Sequence, residues 1–231
     1  MSFQYPKLYE NGKDLQDHHF HDVSVSDERL YEFSIGPIRE ASQKIVCENF
    51  HFKNCQFQTV FKLLSGTLYK DCSFVDLKIG MEVEIESHTL MDNVEFSGKP
   101  PKRGLRAVKP PRWLRDLTPM HRQVTSRFYE TFEGTSINID FSRSCDIRLV
   151  GPFLANLGAY PDDCVLYDFR SVSEIDVGSI QDERLARHIQ YEFAQVKDQG
   201  ENMLLNSHLN KDAVPGLQEA VNRVVEISKS K

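Results

Sequence analysis

Residues able to do chemistry are few in this chain of 231, and one short run holds the densest group of them. Asp17, His18, His19, His21 and Asp22 crowd six positions. Side chains two apart on an extended strand share a face, so His19 and His21 would point the same way, within reach of one metal ion or one proton transfer. A metal site would need further ligands from elsewhere. The five cysteines, at 47, 55, 72, 145 and 164, include no pair with the spacing of a zinc-binding or redox dithiol. The expectation is therefore no metal and no cofactor. The sequence contains no HExxH, no P-loop, no GxGxxG and no GxSxG. Asp168 and Asp176 are a candidate acid pair. A strand-end aspartate more often bonds loop backbone. An enzyme with a His/Asp site near 17–22 is one reading of these residues, and it ranks below a binding role.

The composition is that of a globular protein, 40% hydrophobic and 27% charged, with too few Gly and Pro for a low-complexity chain. No apolar run approaches the length of a bilayer span, and the opening MSFQYPKLYENGKD lacks the apolar core of a secretory signal. An odd number of cysteines with no framework spacing points to reduced thiols used as small core hydrophobes. Together these predict a cytoplasmic protein.

The formal charge of −6 conceals a strong asymmetry. Between 99 and 115 stand Lys99, Lys102, Arg103, Arg106, Lys109, Arg112 and Arg115 with no acid among them, and the same stretch holds Pro100, Pro101, Pro110 and Pro111. Proline pairs break helices and central strands, so 99–118 reads as a stiff basic connector. It divides a β-rich repeat domain at 1–98 from a second domain at 119–231. An anionic ligand or an acidic partner would find its charge there, and Trp113, between Arg112 and Arg115, adds a rigid aromatic anchor.

Before the connector a pattern recurs: apolar, any, Asp or Asn, apolar, any, apolar. It runs Phe20–Val25, Cys47–Phe52, Phe52–Phe57, Tyr69–Phe74, Phe74–Ile79 and Met91–Phe96. Asp and Asn bond locally to backbone and tolerate turn geometry, so the copies predict short strands broken by bends. Met81 to Glu86 alternates apolar and Glu as a half-buried strand, and Ser65-Gly66 marks a turn. Over about 20–96 the chain resembles the pentapeptide-repeat proteins, which fold as a right-handed β-helix. In that family the residue two before the central apolar one is small and points inward. Here those positions are His21, Glu48, Lys53, Lys70, Val75 and Asp92. An irregular β-repeat, either β-helix-like or a β-meander, is the expectation.

After the connector the signals alternate between helix and strand. Thr118-Pro119 opens a helix that Gly134 stops, strands follow at 135–141 and 145–150, and a short helix runs from 152 to 158. Then come a buried strand at 164–169, a capped helix from Ser179, a strand at 202–206 and an amphipathic last helix. That order implies parallel crossovers. With Asp168, Phe169, Val172, Ile175, Asp176 and Ile180 in frame, it resembles the STAS domain, named for sulfate transporters and anti-sigma-factor antagonists. The resemblance implies an α+β chain ending in a STAS-like α/β domain, with a partner-binding loop at Asp168, Asp176, Gly178 and Ser179. The family's phospho-acceptor serine falls two residues after the second aspartate, where this chain has Gly178.

The function expected on these grounds is a non-enzymatic interaction or regulatory protein with a protein partner. The alternatives are an immunity protein that neutralises a cognate toxin and an enzyme using the 17–22 site.

Overall fold

The protein is described by a computed structural model over residues 18–35, 45–86, 89–108, 137–143, 145–151, 154, 157–167, 183, 186–187, 190 and 203–206. Among these residues the non-glycine positions with positive φ are Asp22, Asp27, Asn49, Asn54, Asp71, Asp76 and Asn93, at 52–61°. All are Asp or Asn, the residues that enter the left-handed region at least cost after glycine. Six of them are the third position of the six sequence copies.

Each left-handed residue inserts one extra step into the alternation of a strand. Thus Cys47 points in and Glu48 out, Asn49 makes the bend, and Phe50 points in again, followed by His51 out and Phe52 in. Apolar residues three apart and then two apart can share one interior only with such a bulge between them. A second bend at Asn54 repeats the figure into Cys55 and Phe57, which are buried.

Repetition of this unit winds the chain into stacked coils. The first sheet holds β1 (His18–Ser26), β4 (Ile45–Lys53), β7 (Thr67–Val75), β10 (Leu90–Gly98) and β12 (Ile137–Phe141) in that order, every neighbour pair parallel. A narrow second sheet holds β2 (Arg29–Leu30), β5 (Gln56–Phe57) and β8 (Lys78–Ile79). The third holds β3 (Phe33–Ile35), β6 (Phe61–Leu63), β9 (Val83–Glu86), β11 (Leu105–Val108) and β13 (Ile147–Val150), again parallel. Ile45 lies beside Thr67, 22 residues on, and Leu68 beside Leu90, also 22 on. Val94 lies beside Ile137, a longer step that contains 109–136. Parallel ladders throughout 18–108 exclude a meander, whose neighbours would run antiparallel.

The interior is a set of in-register side-chain ladders. Phe52 and Phe74 stack at 6.2 Å and 19°, Phe74 and Phe96 lie 5.0 Å apart, and Phe33 stacks on Phe61 at 4.8 Å. All five rings are buried, each stabilising the fold by roughly 1.5–3 kcal/mol through lost apolar exposure. Buried hydroxyls find carbonyls on neighbouring coils. Thr67 Oγ1 and Tyr69 Oη donate to the Ile35 carbonyl at 3.2 and 3.0 Å, and Thr89 Oγ1 to that of Leu63 at 3.0 Å.

The bends form ladders of their own. Asn49 Nδ2 donates to Asp22 Oδ1 at 3.1 Å and Asn93 Nδ2 to Asp71 Oδ1 at 2.7 Å. In this tier carboxylate and amide alternate, so the amide of one coil bonds the carboxylate of the coil before it. In the second tier Asn54 Nδ2 donates to Asp27, and the Lys99 backbone N–H donates to Asp76 Oδ1 at 2.8 Å. Gly98, at φ 76°, stands where an Asx would be the next copy, and a Cβ there would lie 2.5 Å from Asp76 Oδ1.

The second half of the chain differs from the α+β expectation. The described residues are 63% strand and 5% helix. Strands β12 and β13 are further rungs of the first and third sheets, beside β10 and β11. Beyond β13 the third sheet continues with β15 (Met203–Asn206) and then β14 (Cys164–Tyr167), both contacts antiparallel. A STAS domain is an α/β fold with helices, and this β-rich, mostly parallel stack points away from it. The recognition drawn from the sequence is therefore overturned. The pentapeptide-repeat frame does not carry over either. It places the residues corresponding to His21, Glu48 and Lys70 inside, whereas here they stand on the outer face, half-buried or exposed. Helical geometry is described at Glu183, Ala186, Arg187 and Gln190, within the segment expected to be helical. No helix among the described residues is long and apolar enough to cross a membrane.

Candidate functional site

Outward positions of the first sheet alternate with the core ladders, and coil stacking brings residues 22–29 positions apart into contact. His19 Nε2 lies 2.8 Å from Glu48 Oε2, and Lys70 Nζ lies 2.6 Å from Glu48 Oε1 and 3.9 Å from Asp71. His21 Nδ1 lies 2.8 Å from Asp22 Oδ2. The bond from Lys70 holds the Glu48 carboxyl below the ordinary carboxylate range, and that from His21 does the same for Asp22. Partial burial, with Asp71 nearby, pushes Asp92 up.

His19 and Lys70 meet Glu48 across strands, and His21 meets Asp22 within one. The rings of His19 and His21 are 5.7 Å apart, edge to face, yet among the described residues no group of three His, Cys, Asp or Glu side chains is arranged to hold a metal ion. His51 Nδ1 lies 2.8 Å from Ser73 Oγ, the distance of a base and the hydroxyl it would activate. The pair sits on an open sheet, and among the described residues no carboxylate bonds the other ring nitrogen.

The thiols stand apart from any such chemistry. Cys47, Cys55, Cys72 and Cys164 are buried and Cys145 is half-buried. Burial pushes Cys72, Cys145 and Cys164 up to about 12 and Cys47 well above its ordinary value. At neutral pH they are thiols, and a thiol is a poor nucleophile. In the core, Cys47 lies beside Phe20 and Tyr69, and Cys72 beside Val94, on the neighbouring coils, while the Cys55 thiol reaches the Val25 carbonyl at 3.4 Å.

The feature with the clearest capacity to bind lies at the corner between the first and second sheets. A groove of about 620 Å3 runs across three coils, past Asn54 and Gln56 on one, Asp76 to Gly80 on the next and Lys99, Pro100 and Lys102 on the third, with Arg143 beyond. Lys78, Lys99, Lys102 and Arg143 are exposed, and none of the four makes an ion pair among the described residues. The one carboxylate in the lining, Asp76, already accepts the Lys99 backbone N–H. A second hollow of about 370 Å3 adjoins it at Arg143 and is lined by Asp140, Tyr160, Asp162 and Asp163.

Of the residues expected from the sequence to bind a partner, Asp168, Asp176, Gly178, Ser179, Trp113, Arg112 and Arg115 all lie outside the described residues. The basic stretch is represented in the groove by Lys99 and Lys102. Sequence reasoning missed Lys78, Arg143 and Gln56, which reach the same corner only through the winding. The signal was present in the repeat. Gln56 and Lys78 occupy the same outward slot of the copies Phe52–Phe57 and Phe74–Ile79, and they pair in register.

Set against family models, curated proteins and solved structures, the chain finds no match in any of the three.

Proposed function

We propose that this chain is a non-enzymatic interaction protein, a rigid coil stack that holds a protein partner at its cationic corner. The observation that supports this reading is the groove, where four cations from three coils gather around one occupied carboxylate. Like charges held together in an open groove repel, and an anionic group from a partner relieves that repulsion. The outer face of the first sheet supports it less directly, since His19 and Lys70 both bond Glu48 across strands and His21 bonds Asp22 beside it. An inhibitor of a cognate toxin is one form of the same reading, and the identity of the partner distinguishes it. The test is affinity capture by the tagged full chain from its native host, with mass spectrometry of what is retained. A protein retained in stoichiometric amount is the expected result. Retention of nothing beyond what a charge-matched unrelated protein retains would refute the reading.

A further inference from the structure

The winding places the groove cations in a row along the axis of the stack. Lys78 follows the second bend of one coil, Lys99 and Lys102 follow that of the next, and Arg143 follows β12 on the coil after it. Neighbouring strands lie about 4.8 Å apart, so the row spans roughly 10 Å. We infer that this groove binds an extended acidic segment of a protein partner, its carboxylates pairing with Lys78, Lys99, Lys102 and Arg143. The inference rests on the interaction reading above and adds the chemistry of what is recognised.

Three features favour an acidic peptide over a nucleic acid. Same-face side chains of an extended peptide recur about every 6.8 Å, so two or three carboxylates match the row. The lining contains no aromatic ring on which a base would stack, and the chain as a whole carries −6, which opposes a long polyanion. Gln56, exposed beside the row, carries both donors and an acceptor for a peptide group. Lysine supplies three of the four cations, and its ammonium is a flexible point charge suited to carboxylates of varied spacing.

The test uses the full chain and a fluorescein-labelled peptide of six glutamates, read by anisotropy at low salt. Two variants carry the same change in net charge: K78Q/K102Q within the groove, and S24E/S34E at exposed positions away from it. Unfolding midpoints are measured for each, so that a variant that fails to fold is recognised and replaced by its single substitutions. The wild type binds, K78Q/K102Q binds roughly tenfold more weakly, S24E/S34E stays within about twofold, and added salt weakens all three. Equal weakening by both variants would reduce the effect to net charge and overturn the inference, as would tighter binding of an oligothymidylate than of the glutamate peptide. A wild-type chain that ignores the peptide yet still captures its partner overturns the groove and leaves the interaction reading standing. A chain that captures no partner overturns the reading beneath both.

Discussion

Replacing Asn93 by glycine, alanine and valine separates the two things this side chain does. Its backbone sits at φ 52°, and its amide donates to Asp71 Oδ1 at 2.7 Å on the outer face. A residue with a Cβ is strained in the left-handed region by about 1–2 kcal/mol, which asparagine partly offsets by local hydrogen bonding. The bond to Asp71 is exposed, so its net contribution is about 0.5–1.5 kcal/mol. Glycine keeps the conformation free of strain, loses the bond and loosens the unfolded chain, a loss of roughly 1 kcal/mol. Alanine loses the bond and adds strain, roughly 1.5–2.5 kcal/mol. Valine, branched at Cβ, fits the left-handed region worst and should cost about 3 kcal/mol. Equilibrium unfolding in urea gives the order wild type, Gly, Ala, Val, with an unchanged slope on denaturant. Alanine as stable as glycine, or valine within about 0.5 kcal/mol of wild type, would refute the claim that Asx residues are present because the coil bends there.

Three further outcomes follow from the same geometry. Gly104, at φ 81°, lies so close to the next coil that a Cβ would stand 1.7 Å from the Asp146 carbonyl oxygen. Gly104→Ala should therefore cost about 3 kcal/mol or more, and a neutral result would deny that β13 stacks on β11. Glu86 is buried, and burial raises its carboxyl above the ordinary 4.5 although the Ser65 N–H and Lys62 act the other way. An acid raised on folding stays protonated where the unfolded chain ionises, so it costs stability as pH climbs from about 4.5 through the folded value. Glu86→Gln should gain on wild type over that interval in urea unfolding, and a gain confined to lower pH would contradict the assignment. Maleimide should label Cys47 and Cys72 only after denaturation, since both are buried and protonated; fast labelling of the folded chain would remove them from the core.

The repeat was legible because its signal is local. An Asp or Asn between two apolar residues three apart has few other uses, and all six such positions proved to be left-handed. Two related positions escaped because one member of the pattern is replaced. Asp27 is followed by exposed Glu28, and Gly98 takes the place of an Asx ahead of Lys99. What failed was long-range. Ile137 and Ile139, like Ile147 and Leu149, alternate as any half-buried strand does, and nothing in that alternation tells a rung of a coil stack from a strand of an α/β sheet. The tell-tale Asx is missing there, and 43 residues separate Val94 from its neighbour Ile137. A strand followed by an aspartate and a helix cap is common enough to imitate a STAS motif. The antiparallel approach of β15 to β13 and β14 leaves no mark in single-strand patterning. The groove was half legible: the charge of 99–102 was plain, whereas Lys78 and Arg143 join it only once the register is known.

Binding without chemistry is tested most directly by native mass spectrometry of the full chain mixed with the protein it captures, followed by intact-mass measurement of both after incubation. The expected result is a complex of fixed stoichiometry that dissociates on adding salt or on changing Lys78 and Lys102 to glutamine, with both masses unaltered. A partner recovered with a changed mass, cleaved or modified in step with the time of incubation, would make this chain an enzyme and contradict the account.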